Sequence, residues 1–153
     1  MDIDPELRST LIRAAAFLGA AQDDWWVLGS AAMALIGIDP GGVRDVDILV
    51  SKRDAAALLT RYGLRNEADG GTDRYRSAVF LRPDLGGVDV EIMADYRVKQ
   101  GVHWQPIWPQ TRRHVSLDGT GLIVPGVQEQ LALLRMLNRP KDHARIARLE
   151  RSL

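Results

Sequence analysis

Apolar residues recur at helical spacing in four stretches of this 153-residue chain. Asp4-Pro5-Glu6 has the order of an N-cap, a proline at the first helical position and an acid in the first turn. Leu7, Leu11 and Leu18 follow at helical intervals and predict a helix that ends near Gly19. The same spacing predicts three more helices, over Ser51–Gly63, Val127–Leu137 and from Lys141 to near Leu153.

Short apolar or alternating runs between these helices predict β-strands. The predicted strands are Trp25–Leu28, Val43–Val50, Tyr75–Leu81 and Val88–Met93, followed by a hairpin of Arg113–Leu117 with Leu122–Val124. Asp95–Thr111 has little periodicity, and we interpret it as an ordered loop packed by its tryptophans. The opening order of strand, helix, strand and helix favours an α+β (α/β) sheet protein. The length is that of one domain, residues 1–153.

The segment from Trp25 to Val50 is the centre of this pattern. After the first strand come a Gly29-Ser30 turn, a small-residue helix over about Ala31–Gly37 and the loop Asp39–Gly42. Glycine lets a backbone approach a ligand closely. Serine can cap the helix while its hydroxyl and backbone N–H face an anion. Capping alone would also explain the serine.

Asp45 and Asp47 follow on the second strand, two residues apart, so their side chains share a face. Two carboxylates on one face repel each other unless a cation lies between them. Val46, Ile48 and Val50 point the other way, towards a core. The pattern therefore predicts an oxygen-ligand site for a divalent metal.

A second strand repeats the pattern of acid, apolar residue, acid. Asp89 and Glu91 alternate with Val88, Val90 and Ile92. Asp89 and Glu91 are two residues apart, so their side chains share one face of this strand. A strand with a solvated acidic face would give the same pattern.

Gly-Ser before a helix and Asp-hydrophobic-Asp on the next strand resemble the nucleotidyltransferase signature of the DNA polymerase β superfamily, most closely the minimal or toxin-type members. The resemblance implies a mixed β-sheet flanked by helices, two of them C-terminal. It also implies transfer of a nucleoside monophosphate from a nucleoside triphosphate to a hydroxyl acceptor by a two-metal mechanism. The 14 residues between Ser30 and Asp45 slightly exceed the usual gap, and the Asp39–Gly42 loop can absorb the excess.

Residue roles follow from that resemblance. Asp45 and Asp47 would bridge two Mg²⁺ ions. Asp89, on a strand beside the one that bears Asp45 and Asp47, would complete the site, with Glu91 as the alternate ligand. Gly29 and Ser30 would hold the β- and γ-phosphates.

The C-terminal segment LLRMLNRPKDHARIARL resembles the last two helices of the toxin-type members, in which an arginine-proline-lysine-aspartate turn recurs. Arg139 and Lys141 are therefore candidates to face the triphosphate. A helix-breaking turn with a solvated basic run explains these two residues equally well.

Composition excludes several other classes of site. There is no cysteine, so thiol catalysis, disulfides and cysteine-based zinc sites are excluded. His103, His114 and His143 lack metal-ligand spacing. Twenty basic and twenty acidic residues cancel, which gives no global electrostatic argument for nucleic acid. An acidic N-terminus without an apolar segment, and no apolar run of about 18 residues, predict a cytoplasmic protein without a membrane span.

The sequence leaves the class of function partly open. A binding or regulatory protein could keep this fold without turnover. A toxin that modifies RNA and has an antitoxin partner is a further hypothesis. The acceptor (RNA, protein or small molecule) and the preferred nucleoside triphosphate cannot be read from these motifs.

Overall fold

The computed structural model describes residues 2–153 and has an α+β fold, as predicted. Its elements, in chain order, are α1 (Pro5–Phe17), β1 (Trp26–Leu28), α2 (Gly29–Leu35), β2 (Asp45–Val50), α3 (Lys52–Tyr62), β3 (Tyr75–Arg76), β4 (Val79–Leu81), β5 (Asp89–Ala94), β6 (Arg97–Gln100), β7 (His103–Pro106), β8 (Arg113–Leu117), β9 (Thr120–Val124), α4 (Val127–Leu137) and α5 (Asp142–Arg151). None of the helices in this range is long and apolar enough to cross a membrane.

The main sheet has four strands in the order β1-β2-β5-β4. Strands β2 and β5 are parallel neighbours, whereas β1 and β4 flank them in antiparallel orientation. The register places Asp45 opposite Asp89 and Asp47 opposite Glu91. The prediction that the two acid-bearing strands are adjacent is therefore confirmed.

The alternating pattern of β2 and β5 separates a packed face of the sheet from a polar one. Val46, Ile48, Val90 and Ile92 are buried in the main hydrophobic core, together with apolar residues of α1 and α2. Burial of these aliphatic side chains is the principal force that fixes the register. A slip by one residue would bury the acids instead.

The prediction for Asp95–Thr111 was wrong, and the prediction for Tyr75–Leu81 was confirmed only in part. Asp95–Thr111 is not a loop, because β6 and β7 form an antiparallel hairpin that turns at Gly101, where φ is +62°. Lys99 and Gln100 are exposed while Val98 is buried, so the hairpin has too few apolar positions to show a clear period. Tyr75–Leu81 is divided into β3, which pairs with β6, and β4, which pairs with β5.

One predicted helix cap is confirmed, whereas the starts of α2 and β2 differ from the predicted ones. The Asp4 cap is confirmed, since its carboxylate accepts hydrogen bonds from the N–H groups of Glu6 and Leu7 at 3.1 and 3.2 Å. Helix α2 begins at Gly29, its N-cap position is Leu28, and no side chain caps it. The predicted capping role of Ser30 is therefore wrong. Strand β2 begins at Asp45 rather than at Val43.

Candidate active site

A cavity of about 370 Å³ lies over the polar face of β2 and β5. Its lining includes residues of the Gly29 turn, of the segment 67–77, of α4 and of the turn between α4 and α5. The main-sheet carboxylates are thus placed beside a basic turn from the opposite end of the chain.

Three of the predicted acids line this cavity, namely Asp45, Asp47 and Glu91. Asp89 does not, because it is exposed at the beginning of β5 and lines a second cavity beside Arg82. The family resemblance had pointed to Asp89 as the third ligand, with Glu91 as the alternate. The geometry favours Glu91, which lies directly opposite Asp47 on the neighbouring strand.

Crowding of these carboxyl groups changes the protonation of Asp47. The pKa of Asp47 is raised from 3.8 to about 7, first by burial and then by the neighbouring Glu91 and Asp45. The positive charge of Arg139 acts in the opposite direction and favours the carboxylate. Such crowding is unfavourable without a cation, so the cluster has the electrostatics of a cation site.

Gly29 brings the backbone of the turn against this cluster. Its φ is +66°, and a Cβ placed there would lie 3.3 Å from Oδ2 of Asp47. Any other residue would be strained by this conformation and would also press on the carboxylate. Ser30, by contrast, is half-buried in the first turn of α2 and is not among the residues that line the cavity.

Arg139 and Lys141 both line the cavity, and they differ in how firmly they are held. The Arg139 guanidinium donates to both carboxylate oxygens of Asp142, at 2.8 and 3.0 Å, and its backbone N–H donates to the same group at 3.1 Å. Burial lowers the pKa of Arg139, but the hydrogen bonds and charge of Asp142 outweigh this effect and raise it overall. Lys141 is exposed.

Asp142 is fully buried and also connects the basic turn to the loop before β2. Arg145 lies 3.8 Å from Asp142, and its Nε donates to the Pro40 carbonyl at 3.1 Å. Sequence reasoning missed Asp142. The sequence feature that could have identified it is its position three residues after Arg139, across a proline turn.

Tyr96 is a second residue that the sequence did not identify. It lines the cavity, and burial, reinforced by the charge of Asp47, raises the pKa of Tyr96 well above its usual range. Its hydroxyl therefore stays protonated and can donate a hydrogen bond. It lies between the end of β5 at Ala94 and the start of β6 at Arg97, so no strand pattern identified it.

The acids fit a hard cation by their chemistry, although they do not enclose one. Within residues 2–153, no three or more His, Cys, Asp or Glu side chains form a group that could hold a metal ion by themselves. Carboxylate oxygens are the ligands that Mg²⁺ prefers. Protein Mg²⁺ sites commonly use one or two carboxylates and complete the coordination with substrate phosphates and water. Asp47 with one of its neighbours, Asp45 or Glu91, would hold the ion in that manner.

Comparison with solved structures identifies the fold. The chain is similar to a protein of Thermotoga maritima described as a "putative nucleotidyltransferase", with 21% identity, a TM-score of 0.75, and coverage of 99% of this chain and 97% of that chain. It is also similar to an antigenic nucleotidyltransferase-like protein of Paracoccidioides brasiliensis, with 19% identity, a TM-score of 0.55, and coverage of 94% and 75%. No protein-family model and no curated protein matches the sequence.

These similarities show that the chain has a nucleotidyltransferase-type fold, as the sequence motifs predicted. At such identities the likeness concerns the fold alone, and function depends on the site.

Proposed function

We propose that the protein is a Mg²⁺-dependent nucleotidyltransferase that transfers a nucleoside monophosphate from a nucleoside triphosphate to a hydroxyl acceptor. The observation that carries this proposal is the meeting of Asp45, Asp47 and Glu91 with Arg139 and Lys141 around one cavity. Opposed clusters of acids and cations suit a metal-bound polyphosphate, since the acids hold the metal and the cations hold the phosphates.

Each group of the chain has a definite task in this reaction. Arg139, fixed by Asp142, binds the triphosphate through directed N–H groups, and Lys141 adds a mobile positive charge. The acceptor oxygen forms a bond to the α-phosphorus, the bond from that phosphorus to its bridging oxygen breaks, and pyrophosphate leaves. The hydroxyl proton passes to a carboxylate of the cluster or to water. Bound Mg²⁺ would supply neutralisation of the phosphate charge and a lower pKa for the acceptor hydroxyl.

The proposal leaves the acceptor open among RNA, protein and small molecules. A toxin role with an antitoxin partner is compatible with it but has no support in the site itself. Incubation with labelled nucleoside triphosphates and a cell extract, followed by identification of the labelled product, would reveal the acceptor.

A second candidate is a nucleotide-binding domain without turnover. The observation that favours it is the lack of a preformed metal cage among residues 2–153. Both candidates require nucleotide binding, and only the first requires release of pyrophosphate.

Calorimetry and a pyrophosphate assay together test the proposal. Wild-type protein should bind a nucleoside triphosphate in the presence of Mg²⁺ and lose at least about tenfold in affinity when EDTA removes the metal. Asp47→Asn should bind weakly with or without the metal, whereas Asp24→Asn, an exposed acid outside the cavity, should behave as wild type. Pyrophosphate release with an acceptor supports the enzyme. Metal-dependent binding without release under any acceptor condition supports the second candidate, and an absence of binding refutes both.

A further inference from the structure

The small sheet of β3, β6 and β7 turns a basic face to solvent beside the cavity. Its register pairs Arg76 with Arg97 and Lys99 with Trp104. Side chains that are paired across strands, or that are two residues apart on one strand, share a face. These four side chains therefore form one surface, called here the basic face. Val98 points the other way and is 1% exposed, in a hydrophobic cluster with residues of α4.

Trp104 is the centre of the basic face. The Cζ atom of Arg76 lies 4.2 Å from the centroid of the Trp104 ring, and Nζ of Lys99 lies 6.0 Å from it. A cation within about 6 Å of an aromatic face is attracted by the ring. Both cations are exposed, and neither forms a salt bridge within residues 2–153. The face thus joins a partly exposed aromatic ring to two uncompensated charges.

One acid borders the basic face and does not neutralise it. Asp95 accepts a hydrogen bond from Nε of Arg97 at 3.1 Å, and its second oxygen lies 3.6 Å from Nζ of Lys52. Two cations therefore share one carboxylate. With Arg76 and Lys99, four cations and one acid leave a local charge of +3, although the whole chain has no net charge.

A single strand of nucleic acid has the chemistry that this face fits. Its phosphates are attracted by the cations, and its unstacked bases can stack on an aromatic ring or on a guanidinium plane. Trp104 and Arg76 supply both kinds of plane. A duplex would offer only its phosphates, because its bases are stacked inside. An acidic peptide would match the charge but would leave the indole ring unused.

The basic face adjoins the cavity at β3. This strand is at the edge of its sheet, and its Arg76 also lines the cavity. The opposite face of the same sheet contributes Tyr75 and Val98 to the cavity wall. A strand bound on the basic face can therefore reach the carboxylate cluster by passing the edge of β3.

We propose that the basic face binds single-stranded RNA and directs its terminal ribose hydroxyl into the cavity as the acceptor. This inference rests on the proposed function. An RNA end is a better match than a DNA end because its ribose offers two adjacent hydroxyl groups. The RNA oxygen forms a bond to the α-phosphorus, and pyrophosphate leaves with the electrons of the broken bond. The hydroxyl proton passes to a carboxylate or to water, and the RNA becomes one nucleotide longer.

Binding is measured by fluorescence anisotropy with a labelled single-stranded RNA of about twelve nucleotides. Its affinity should fall with rising salt with a slope of about −2 on logarithmic axes, as about three phosphate contacts on a single strand give. Lys99→Gln, an exposed change that leaves the fold intact, should weaken binding about threefold or more. Trp104→Leu should weaken it at least about fivefold, and Trp104→Phe should restore most of the loss. Arg113→Gln, an exposed change on β8, should bind within about twofold of wild type.

Transfer is measured on a denaturing gel, with the same RNA, Mg²⁺ and each nucleoside triphosphate. Wild-type protein should lengthen the RNA by one nucleotide. Lys99→Gln should give less product at low RNA concentration while its nucleotide affinity in calorimetry stays as in wild type. A product that forms equally well with Lys99→Gln and Trp104→Leu overturns the assignment to the basic face.

The remaining outcomes separate this inference from the proposed function. Tighter binding of a duplex, or of DNA of the same sequence, overturns the assignment to single-stranded RNA. Metal-dependent nucleotide binding without any RNA binding at low salt overturns the inference alone. RNA that binds but is not lengthened by any nucleoside triphosphate overturns its role as acceptor. If no nucleoside triphosphate binds with Mg²⁺, the proposed function fails and the acceptor role fails with it.

Discussion

Asp47→Asn is expected to stabilise the metal-free protein at neutral and basic pH. Burial and the neighbouring acids raise the pKa of Asp47 to about 7 in the folded protein. An unfolded chain would titrate this residue near its ordinary value of about 3.9. Ionised Asp47 is therefore more costly in the folded protein than in the unfolded one, and asparagine removes that cost while preserving the shape of the side chain.

The sign and size of the effect follow from proton linkage. A carboxyl group whose pKa is raised by folding makes its full contribution to stability below about pH 4, and that contribution is lost as the pH rises through about 7. A difference of about three pKa units corresponds to an upper limit of about 4 kcal/mol. The cavity admits water and the cluster can relax, so we expect about 1–2 kcal/mol. For a chain of this size, that is a rise in Tm of roughly 2–8 °C.

Thermal unfolding in EDTA at about pH 5 and about pH 8 would measure the stability gained by the Asp47→Asn protein over wild type. The gain from Asp47→Asn should be clearly larger at the higher pH. Asp24→Asn, an exposed control, should give a small change that is equal at both values. An Asp47→Asn protein no more stable than wild type at pH 8, or equally stabilised at both values, would refute this account of the carboxylate cluster.

Three further predictions concern the same cavity. Glu91→Gln should weaken Mg²⁺-dependent nucleotide binding at least about tenfold in calorimetry, and Asp89→Asn should change it less than about twofold; the reverse order would restore Asp89 as the third ligand. Asp142→Asn should release the Arg139 guanidinium and weaken triphosphate binding about as much as Arg139→Ala, with a double variant no weaker than either; additive losses would separate the two residues. Gly29→Ala should lower the free energy of unfolding by about 1–3 kcal/mol in urea titration, because its φ is positive and its Cβ would crowd Asp47, and unchanged stability would contradict the observed turn.

The predictable part of this protein is the part with a strong period. Aliphatic residues alternate with acids on β2 and β5, and this pattern indicated two strands that each have one buried face. That the two strands are neighbours followed from the family resemblance, and the structure confirms it. Helix α4 was predicted with its observed boundaries because its apolar stripe and the following Asn138-Arg139-Pro140 are unambiguous. The β6–β7 hairpin was missed because its side chains are mostly exposed, so the polar pattern does not alternate.

The site was predictable only as far as neighbouring residues specify it. The acid pairs reveal a shared face, but not which acid of β5 reaches the cavity. Asp142 acts through its contacts with Arg139, and a sequence gives no direct sign of such contacts. Ser30 was predicted as a cap because serine favours that position, whereas α2 begins one residue earlier, at a glycine with positive φ.

The most direct test of the central claim is to locate the metal. Crystals grown with Mn²⁺ and a non-hydrolysable nucleoside triphosphate would show the ion by its anomalous scattering. We expect a peak between Asp45, Asp47 and Glu91, with the phosphates between that peak and Arg139. A bound nucleotide with no peak at these carboxylates, or a peak on the Asp89 side of β5, would contradict the account.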